Sequence, residues 1–310
     1  MLAANVACRM TADDPRDDEA VRSAGDPSAE HYVFTGHETR TSERPDLVAE
    51  APTETRDREQ GYHDLCAYHR APGCSPDVAS PGDAELIDDG RWRWKGLELD
   101  RHANLVADEQ LALRRAAEGR DDTGGYGEGG ITPAMRRIEA ELEHGRLVPD
   151  TENFALKSPD RFKEKLAKMI SLEPDVAPGD LAAKIHDGIR YTFLFVDPSY
   201  SDGVRTVESR LADKGYALVW RKPNWSGEEY KGINSQWCDP DSGVLFEVQF
   251  HTPTGWDAKQ RTHDSYEKTG NPATTTEERA RLRAYQRRVS ASVPVPPRAL
   301  EFLPYKKEGR

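Results

Sequence analysis

The sequence predicts an α+β fold for the C-terminal part of the chain, with a mixed β-sheet of about four to five strands and helices packed on it. Two observations predict this fold. Short segments with alternating apolar side chains, typical of half-buried strands, lie between capped amphipathic segments that are typical of helices. Their order is helix, helix, strand, helix, strand, strand, strand, helix, and this order implies a mixed sheet.

Charge and composition divide the chain into three regions. Residues 1–130 carry 28 acidic against 15 basic side chains, and few apolar clusters occur in the first part of them. Such a segment buries too little apolar surface to offset its ordering entropy. We therefore expect residues 1–90 to be acidic and mostly disordered, residues 91–130 to be a partly helical segment with a Gly-rich linker, and residues 131–310 to form the folded domain. The island Arg91–Lys95 is expected to dock on that domain.

The net charge of −12 argues against a nucleic-acid coat protein or a membrane-surface protein, since both need a basic surface. No apolar run is long enough for a transmembrane helix. The first residues lack the basic start and the apolar core of a signal peptide. We expect a cytoplasmic site of action and no membrane partner.

The four cysteines are scattered along the chain. Cys66, His69 and Cys74 lie close together, but no fourth ligand stands at a spacing typical of zinc sites. We expect free thiols in a reducing compartment rather than a structural zinc ion.

Capping residues mark the predicted helix starts. Thr132-Pro133 and Ser158-Pro159 each combine a capping hydroxyl with a proline at the first helical position. Asp202 is expected to cap a third helix, and the Thr274–Glu277 capping box precedes the last one. The stretch Asn104–Glu118 predicts a further helix ahead of the Gly-rich linker.

Four segments are predicted as strands, at residues 188–196, 216–220, 230–237 and 244–252. In the last of them Glu247, Gln249 and His251 share one face, because side chains alternate along a strand. Such a row is common on half-buried strands and is a weak signal by itself. The hairpin turn before this strand strengthens it, because pairing about the turn brings Tyr230-Lys231 opposite His251.

One side of the second predicted helix is basic. Arg161, Lys165 and Lys168 recur at helical spacing, and Lys157 stands just before the cap. Such a stripe is usually the solvent-exposed face of a helix. Here it lies beside a helix N-terminus, which also attracts anions, so polyphosphate binding explains it about equally well.

Two carboxylates come from different predicted strands. Asp187 opens the first strand, Arg190 follows three residues later, and Glu247 lies in the last strand. Carboxylates hold Mg²⁺ and activate a hydroxyl, while cations neutralise the charge that develops on phosphate. With the basic helix and the ring of Tyr230, these side chains fit phosphoryl-type transfer.

These residues resemble the RelA/SpoT-type (p)ppGpp synthetases over roughly residues 131–266. The Glu-x-Gln strand is the most specific part of the resemblance. The matching motifs are Lys157-Ser158 with Lys165, Asp187-Gly-Ile-Arg190, Tyr230-Lys231, Phe246-Glu-Val-Gln-Phe-His-Thr252, and the trailing His263 and Tyr266.

The resemblance implies a nucleotidyltransferase-like fold and a Mg²⁺-dependent transfer of the βγ-pyrophosphate of ATP to a 3′-hydroxyl. Asp187 and Glu247 are then the catalytic and metal-binding carboxylates. ATP is expected to contact Lys157, Arg161, Lys165 and Arg190. The acceptor nucleotide is expected to contact Tyr230, Lys231, Asn234, Gln249, His251 and His263.

This sequence also departs from the family pattern. The spacing from Asp187 to Arg190 is shorter, and His251 replaces the arginine of the Glu-x-Gln strand. Glu229 stands where the family has a glycine, and Asn234 replaces the closing histidine of the acceptor loop. The acceptor side is therefore altered, and no guanine preference is implied.

The shortened pattern resembles divergent members at the C-termini of larger, toxin-like proteins. This resemblance implies a toxin delivered as an effector, an immunity or antitoxin protein as partner, and GDP, GTP, an adenine nucleotide or a tRNA end as acceptor. Two alternatives stay open. One is a metal-dependent nuclease, which does not require the basic stripe or Tyr230. The other is a non-catalytic nucleotide-binding or interaction module, which is indicated if Asp187 and Glu247 lie far apart.

Overall fold

A computed structural model describes residues 84–87, 89–121, 125–271 and 274–307 of the chain. The described helices are α1 Arg101–Glu118, α2 Ile131–Ala140, α3 Pro159–Leu172, α4 Pro178–Ala183, α5 Tyr200–Asp213, α6 Pro253–Thr269 and α7 Thr276–Ser290. The described strands are β1 Glu85–Leu86, β2 Trp92–Trp94, β3 Leu97–Leu99, β4 Arg146–Leu147, β5 Arg190–Leu194, β6 Ala217–Pro223, β7 Ile233–Cys238, β8 Leu245–His251 and β9 Tyr305–Lys306.

The strands form two sheets, and the predicted α+β class is confirmed. β1, β2 and β3 make a small antiparallel sheet, while the main sheet has six strands in the order β4-β5-β8-β7-β6-β9. β5 and β8 are parallel, and the other described pairs in the main sheet are antiparallel. The two strands beyond the predicted four are the edge strands β4 and β9, which at two residues each are too short to show any periodicity.

One face of the main sheet forms the larger hydrophobic core. Its strand side chains alternate with polar ones on the opposite face, and helices α2 and α5 cover it with their own apolar stripes. Fully buried members include Tyr191, Phe193, Val248 and Phe250 from the strands, with Met135 and Val207 from the helices. The polar side chains of the sheet lie on its opposite face, where a functional site can form.

Several element boundaries differ from the prediction. Helix α6 was not expected, although Thr252 caps it by accepting from the Gly255 N–H and Pro253 begins it. The last helix is capped by Thr275 rather than Thr274. Thr132 lies inside α2, where its hydroxyl is bonded to Tyr191 and so serves packing rather than capping.

Two further boundaries differ from the prediction. Helix α5, which the sequence predicts with a cap at Asp202, begins at Tyr200. The third long strand begins at Ile233, so Tyr230 lies in the loop before it.

Residues 91–130 are part of the same folded structure as the predicted domain. Trp92 and Trp94 of β2 are buried in one cluster with Phe162 and Leu166 of α3. The indole N–H of Trp92 also donates to Asp160 at 3.0 Å. The expected docking of this aromatic island is confirmed, and no packing boundary falls at residue 131.

The described part of the predicted linker also packs. The Tyr126 hydroxyl donates to the buried Glu118 carboxylate at 2.8 Å. The backbones of Gly119 and Gly130 approach so closely that a Cβ on Gly130 would lie 2.5 Å from the Gly119 Cα. These glycines therefore serve close approach of two backbone segments, where a flexible linker had been expected.

Other expectations fall largely outside the described residues. These include the disorder of residues 1–83 and the cluster Cys66, His69 and Cys74. Cys238 was expected to be a free thiol, but it is disulfide-bonded. Among the described helices, none has the length and apolar character needed to span a membrane.

The packing of β2 on α3 generates a test. Trp94→Ala should lower the free energy of unfolding by about 3–5 kcal/mol, because it leaves a large cavity against helix α3. The matched control is Arg93→Ala, in the same strand but exposed, which should change it by about 1 kcal/mol at most. Urea unfolding measures both. Equal effects of the two substitutions would contradict the described packing.

Candidate functional site

The polar face of the main sheet carries a row of side chains across four strands. The register places Arg190 of β5 opposite Glu247 of β8, Glu247 opposite Gln236 of β7, and Gln236 opposite Trp220 of β6. Residues paired in register point to the same face, so these four side chains lie side by side. Gln236 was missed from the sequence, because nothing in its own strand distinguishes it from an ordinary exposed amide.

Glu247 is the most unusual member of this row. The residue is 5% exposed, and within the described part of the chain its carboxylate has no hydrogen bond or ion pair. Its backbone N–H donates to the Ile189 carbonyl at 2.9 Å. Ile189 comes two residues after Asp187, so the backbone holds the two predicted carboxylate residues in one neighbourhood.

Asp187 lies in a short 3₁₀ turn, His186–Gly188, just before β5. The ring of His186 contacts the ring of Trp220 edge-on at 5.4 Å between centroids. Since Trp220 ends the row that contains Glu247, this contact places the turn over the polar face of the sheet.

Two lysines contact Asp187, Lys165 from helix α3 and Lys157 from the residue before its cap. Ser158 caps the helix by accepting from the Arg161 N–H, as predicted. Lys165 Nζ lies 2.6 Å from one carboxylate oxygen of Asp187, and Lys157 Nζ lies 3.3 Å from the other. Burial alone would raise the pKa of Asp187, but the two ammonium groups hold it well below its usual range.

The other two members of the basic stripe have different partners. Arg161 is bonded to Glu164 at 3.1 Å and to Glu267 of α6 at 3.2 Å. Lys168 is paired with Glu164 at 2.8 Å and is more exposed than Lys165. The stripe is therefore divided into a half that contacts Asp187 and a half that Glu164 neutralises.

On the acceptor side, the Tyr230 hydroxyl is held by two side chains of the sheet. It donates to Asn234 at 2.6 Å and lies 2.8 Å from His251 Nε2. Burial raises the pKa of Tyr230 well above its usual value, and the charge of Glu247 raises it further, so the phenol stays protonated beside that carboxylate. Asn234 and His251 thus fix the orientation of the tyrosine.

The enclosed position of His251 changes its expected role. The residue has no exposed surface, and burial holds the pKa of its imidazole well below the usual value. A neutral, buried ring offers no surface to a nucleotide. Its contact with Tyr230 makes it a support for that side chain instead.

The remaining acceptor-side residues are spread over the loop and helix α6. Lys231 donates to the carbonyl of the buried Trp225 at 2.9 Å and so closes the loop. Gln249 is bonded at 2.9 Å to Lys259 of α6, a residue that sequence reasoning missed together with its helix. His263 lies on the same helix, 3.6 Å from Glu267.

The donor set allows a magnesium ion in one particular way. The described residues contain no group of three or more His, Cys, Asp or Glu side chains arranged to hold a metal. Mg²⁺ usually binds one or two carboxylates together with substrate phosphates and water, so a pair suffices. Glu247 offers an unpaired carboxylate for this, and Asp187 offers a second once its lysines have other partners.

Comparisons with known proteins add little to this geometry. No protein-family model and no curated protein sequence matches the chain. Small alarmone synthetase 1 from Bacillus subtilis is similar over 59% of this chain and 90% of its own, at 15% identity and a TM-score of 0.37. A GTP pyrophosphokinase family protein from Streptococcus pneumoniae is similar over 60% and 83%, at 14% identity and a TM-score of 0.34.

Small alarmone synthetase 2 from Bacillus subtilis is similar over 58% of this chain and 89% of its own, at 14% identity and a TM-score of 0.34. These identities and TM-scores are low. The side-chain geometry therefore carries the functional inference.

The buried His251 generates a pH prediction. Its folded-state pKa lies below the value of about 6.5 in an unfolded chain, so unfolding takes up a proton as the pH falls below that value. Stability is complete above about pH 6.5 and should decline by about 1 kcal/mol per pH unit below it. His251→Gln should remove this part of the decline.

Urea unfolding at about pH 7, 6 and 5 measures the effect. His102→Gln, which removes an exposed imidazole from α1, should leave the pH dependence of the wild type intact. The burial of His251 would be wrong if the wild type and His251→Gln lost stability in parallel.

Proposed function

We propose that the chain is a nucleotide pyrophosphokinase that transfers the βγ-pyrophosphate of ATP to the 3′-hydroxyl of an acceptor nucleotide, with Mg²⁺. The observation that carries the proposal is the largely buried Glu247, which has no counterion among the described residues. It lies opposite Arg190, and its backbone is bonded to Ile189, two residues after the lysine-bound Asp187. A carboxylate that has no counterion among the described residues is available to a metal ion or to a hydroxyl group of a ligand.

The donor half of the proposed site is built from helix α3 and the residues just before it. Asp187 is the counterion of Lys157 and Lys165. A triphosphate carries more negative charge than one carboxylate, so both ammonium groups are free to turn to its oxygens. Arg190 and Arg161 are proposed as further contacts to the phosphates, Arg161 by exchanging Glu164 and Glu267 for them. Such a concentration of cations is what phosphoryl-type transfer requires.

Asp187 and Glu247 are the proposed Mg²⁺ ligands, and the ion would neutralise charge on the transferring phosphates. When the lysines turn to phosphate, the Asp187 carboxylate is released. Glu247 takes the proton of the acceptor 3′-hydroxyl while the oxygen of that hydroxyl bonds to the β-phosphorus of ATP. The bond between the β-phosphorus and the oxygen of the departing AMP breaks. AMP leaves with its phosphate ionised.

The acceptor half is centred on Tyr230. Asn234 and His251 hold its hydroxyl, so the ring has a fixed orientation for stacking against a base. Gln249 and His263, on the strand and on α6, are the proposed polar contacts, and Lys231 keeps the loop closed. GDP, GTP, an adenine nucleotide and a tRNA end are all candidate acceptors, because stacking does not select one base.

The biological setting is also a proposal. We infer a toxin-like role with an immunity or antitoxin protein as partner, from the altered acceptor motifs alone. The interaction-module alternative expected Asp187 and Glu247 to lie apart. The backbone link through Ile189 supports catalysis over that alternative, and the two lysines on Asp187 favour a phosphate donor over a nuclease site.

A product assay tests the reaction. Purified protein with Mg²⁺ and γ-labelled ATP should release AMP and form a labelled pyrophosphorylated product only when GDP, GTP, ADP or tRNA is added. Glu247→Gln should lower kcat by about a hundredfold or more, because it removes both the proton acceptor and a metal ligand. Thin-layer separation of the products measures the rate.

The matched control is Glu208→Gln, a partly buried carboxylate on α5 that is paired with Arg221 on the other side of the sheet. It should retain nearly full activity. AMP release that persists in Glu247→Gln, or that occurs without an acceptor, would contradict the proposed mechanism.

The divided basic stripe tests the donor site separately. Lys165→Met should raise the KM for ATP by about tenfold or more, since it removes a charge-assisted contact to phosphate. Lys168→Met, one helical turn away and paired with Glu164, should change it by less than about twofold. Initial rates at varied ATP give both values, and equal shifts would show that the stripe acts only through its overall charge.

A further inference from the structure

Arg114 of helix α1 is buried beside the turn that carries Asp187. The residue is 1% exposed, and its guanidinium donates to the carbonyls of Ala182 at 2.9 Å and Ile185 at 3.0 Å. A second nitrogen is bonded to the Gln110 side chain at 2.8 Å. This arginine therefore connects α1 to the segment that leads from α4 into the turn.

The turn itself is in direct contact with the same side chain. A Cβ on Gly188 would lie 2.5 Å from Arg114 Nε, which is closer than any side chain tolerates. The guanidinium also lies over the ring of Phe162 of α3, at 4.9 Å from its centre. Arg114 is thus enclosed between the donor-side helix and the two ends of the Asp187 turn.

A buried guanidinium is a costly way to fill this space. Burial lowers the pKa of Arg114 to about 10, while the charge of Asp187 raises it again. An apolar side chain of similar volume would often stabilise a fold at least as well as a buried charge does. What it could not do is bind both carbonyls with one nitrogen and Gln110 of α1 with the other, in one rigid planar group.

We propose that Arg114 is a positioning residue for Asp187. By binding the carbonyls of Ala182 and Ile185 and packing against Gly188, it sets where the Asp187 carboxylate stands relative to Lys157 and Lys165. This inference rests on the proposed function for its kinetic consequence. It assigns a role in the site to a helix that precedes the predicted catalytic domain.

The test compares Arg114→Lys with two controls. Lysine keeps the charge but has no planar fork, so kcat should fall by about tenfold or more while the KM for ATP changes by less than about threefold. Arg115→Lys, on the exposed side of α1, should match the wild type. Val207→Ala, a core change in α5, should lower thermal stability but leave kcat of the folded protein intact.

A double-mutant cycle separates positioning from general damage. If Arg114 acts through Asp187, Arg114→Lys should cause no further loss in an Asp187→Asn background. Losses that multiply would overturn the proposal, as would a kcat of Arg114→Lys equal to that of Val207→Ala.

A second variant covers the case in which Arg114→Lys does not fold. In Gly188→Ala the added Cβ would clash with Arg114 and push its guanidinium away from the turn, so this variant should show the same loss of kcat. Gly179→Ala in α4, whose added Cβ meets nothing within 4 Å, should have no effect. Full activity of Gly188→Ala would overturn the proposal.

Amide hydrogen exchange keeps the two proposals distinguishable. Exchange over residues 182–190 should accelerate in Arg114→Lys and not in Arg115→Lys, whether or not transfer is observed. If the wild type transfers pyrophosphate to no acceptor, the proposed function fails, and this exchange result alone decides whether Arg114 holds the turn. Unchanged exchange would show that it does not.

Discussion

The parallel pairing of β5 with β8 is the constraint on which the rest of the site depends. Because the pairing is in register, a single choice of which face to bury fixes both strands at once. Phe193 and Phe250 on the buried face commit Arg190 and Glu247 to the other one. A slip of one residue would exchange the two faces and place the carboxylate in the hydrophobic core, so the apolar packing enforces the chemistry of the polar face.

The electrostatic state of Asp187 follows from its surroundings. Lys157 and Lys165 repel each other, and the carboxylate between them makes their proximity tolerable. An anion that both lysines bind more strongly than they bind Asp187 would free the Asp187 carboxylate at the moment that it binds. Under the proposed function, the two ion pairs occupy the position that the phosphates of ATP would take. This reconciles the strongly lowered pKa of Asp187 with its proposed role as a metal ligand.

The sequence predicted the long strands and the capped helix α3 well, because each has a local periodic or capping signal. Strand parity placed Glu247 on one face with His251, and the hairpin turn placed Tyr230 at the same end of the sheet as His251. The burial of His251 and the contacts of Arg114 had no such signal, since both depend on which distant segments pack against them. Helix α6 is a different case, because Thr252-Pro253 marked its start and was overlooked.

The largest difference from the sequence prediction concerns residues 91–130. Their Gly-rich end predicted a flexible linker. Trp92 and Trp94, however, are buried against α3, and they cover one face of that helix. Helix α3 thus packs against the aromatic island on one side, and on the other side its Lys165 is paired with Asp187. A helix held in this way cannot shift its lysines without disturbing the island. The geometry of the proposed donor site is therefore set partly by residues that have no proposed contact with substrate.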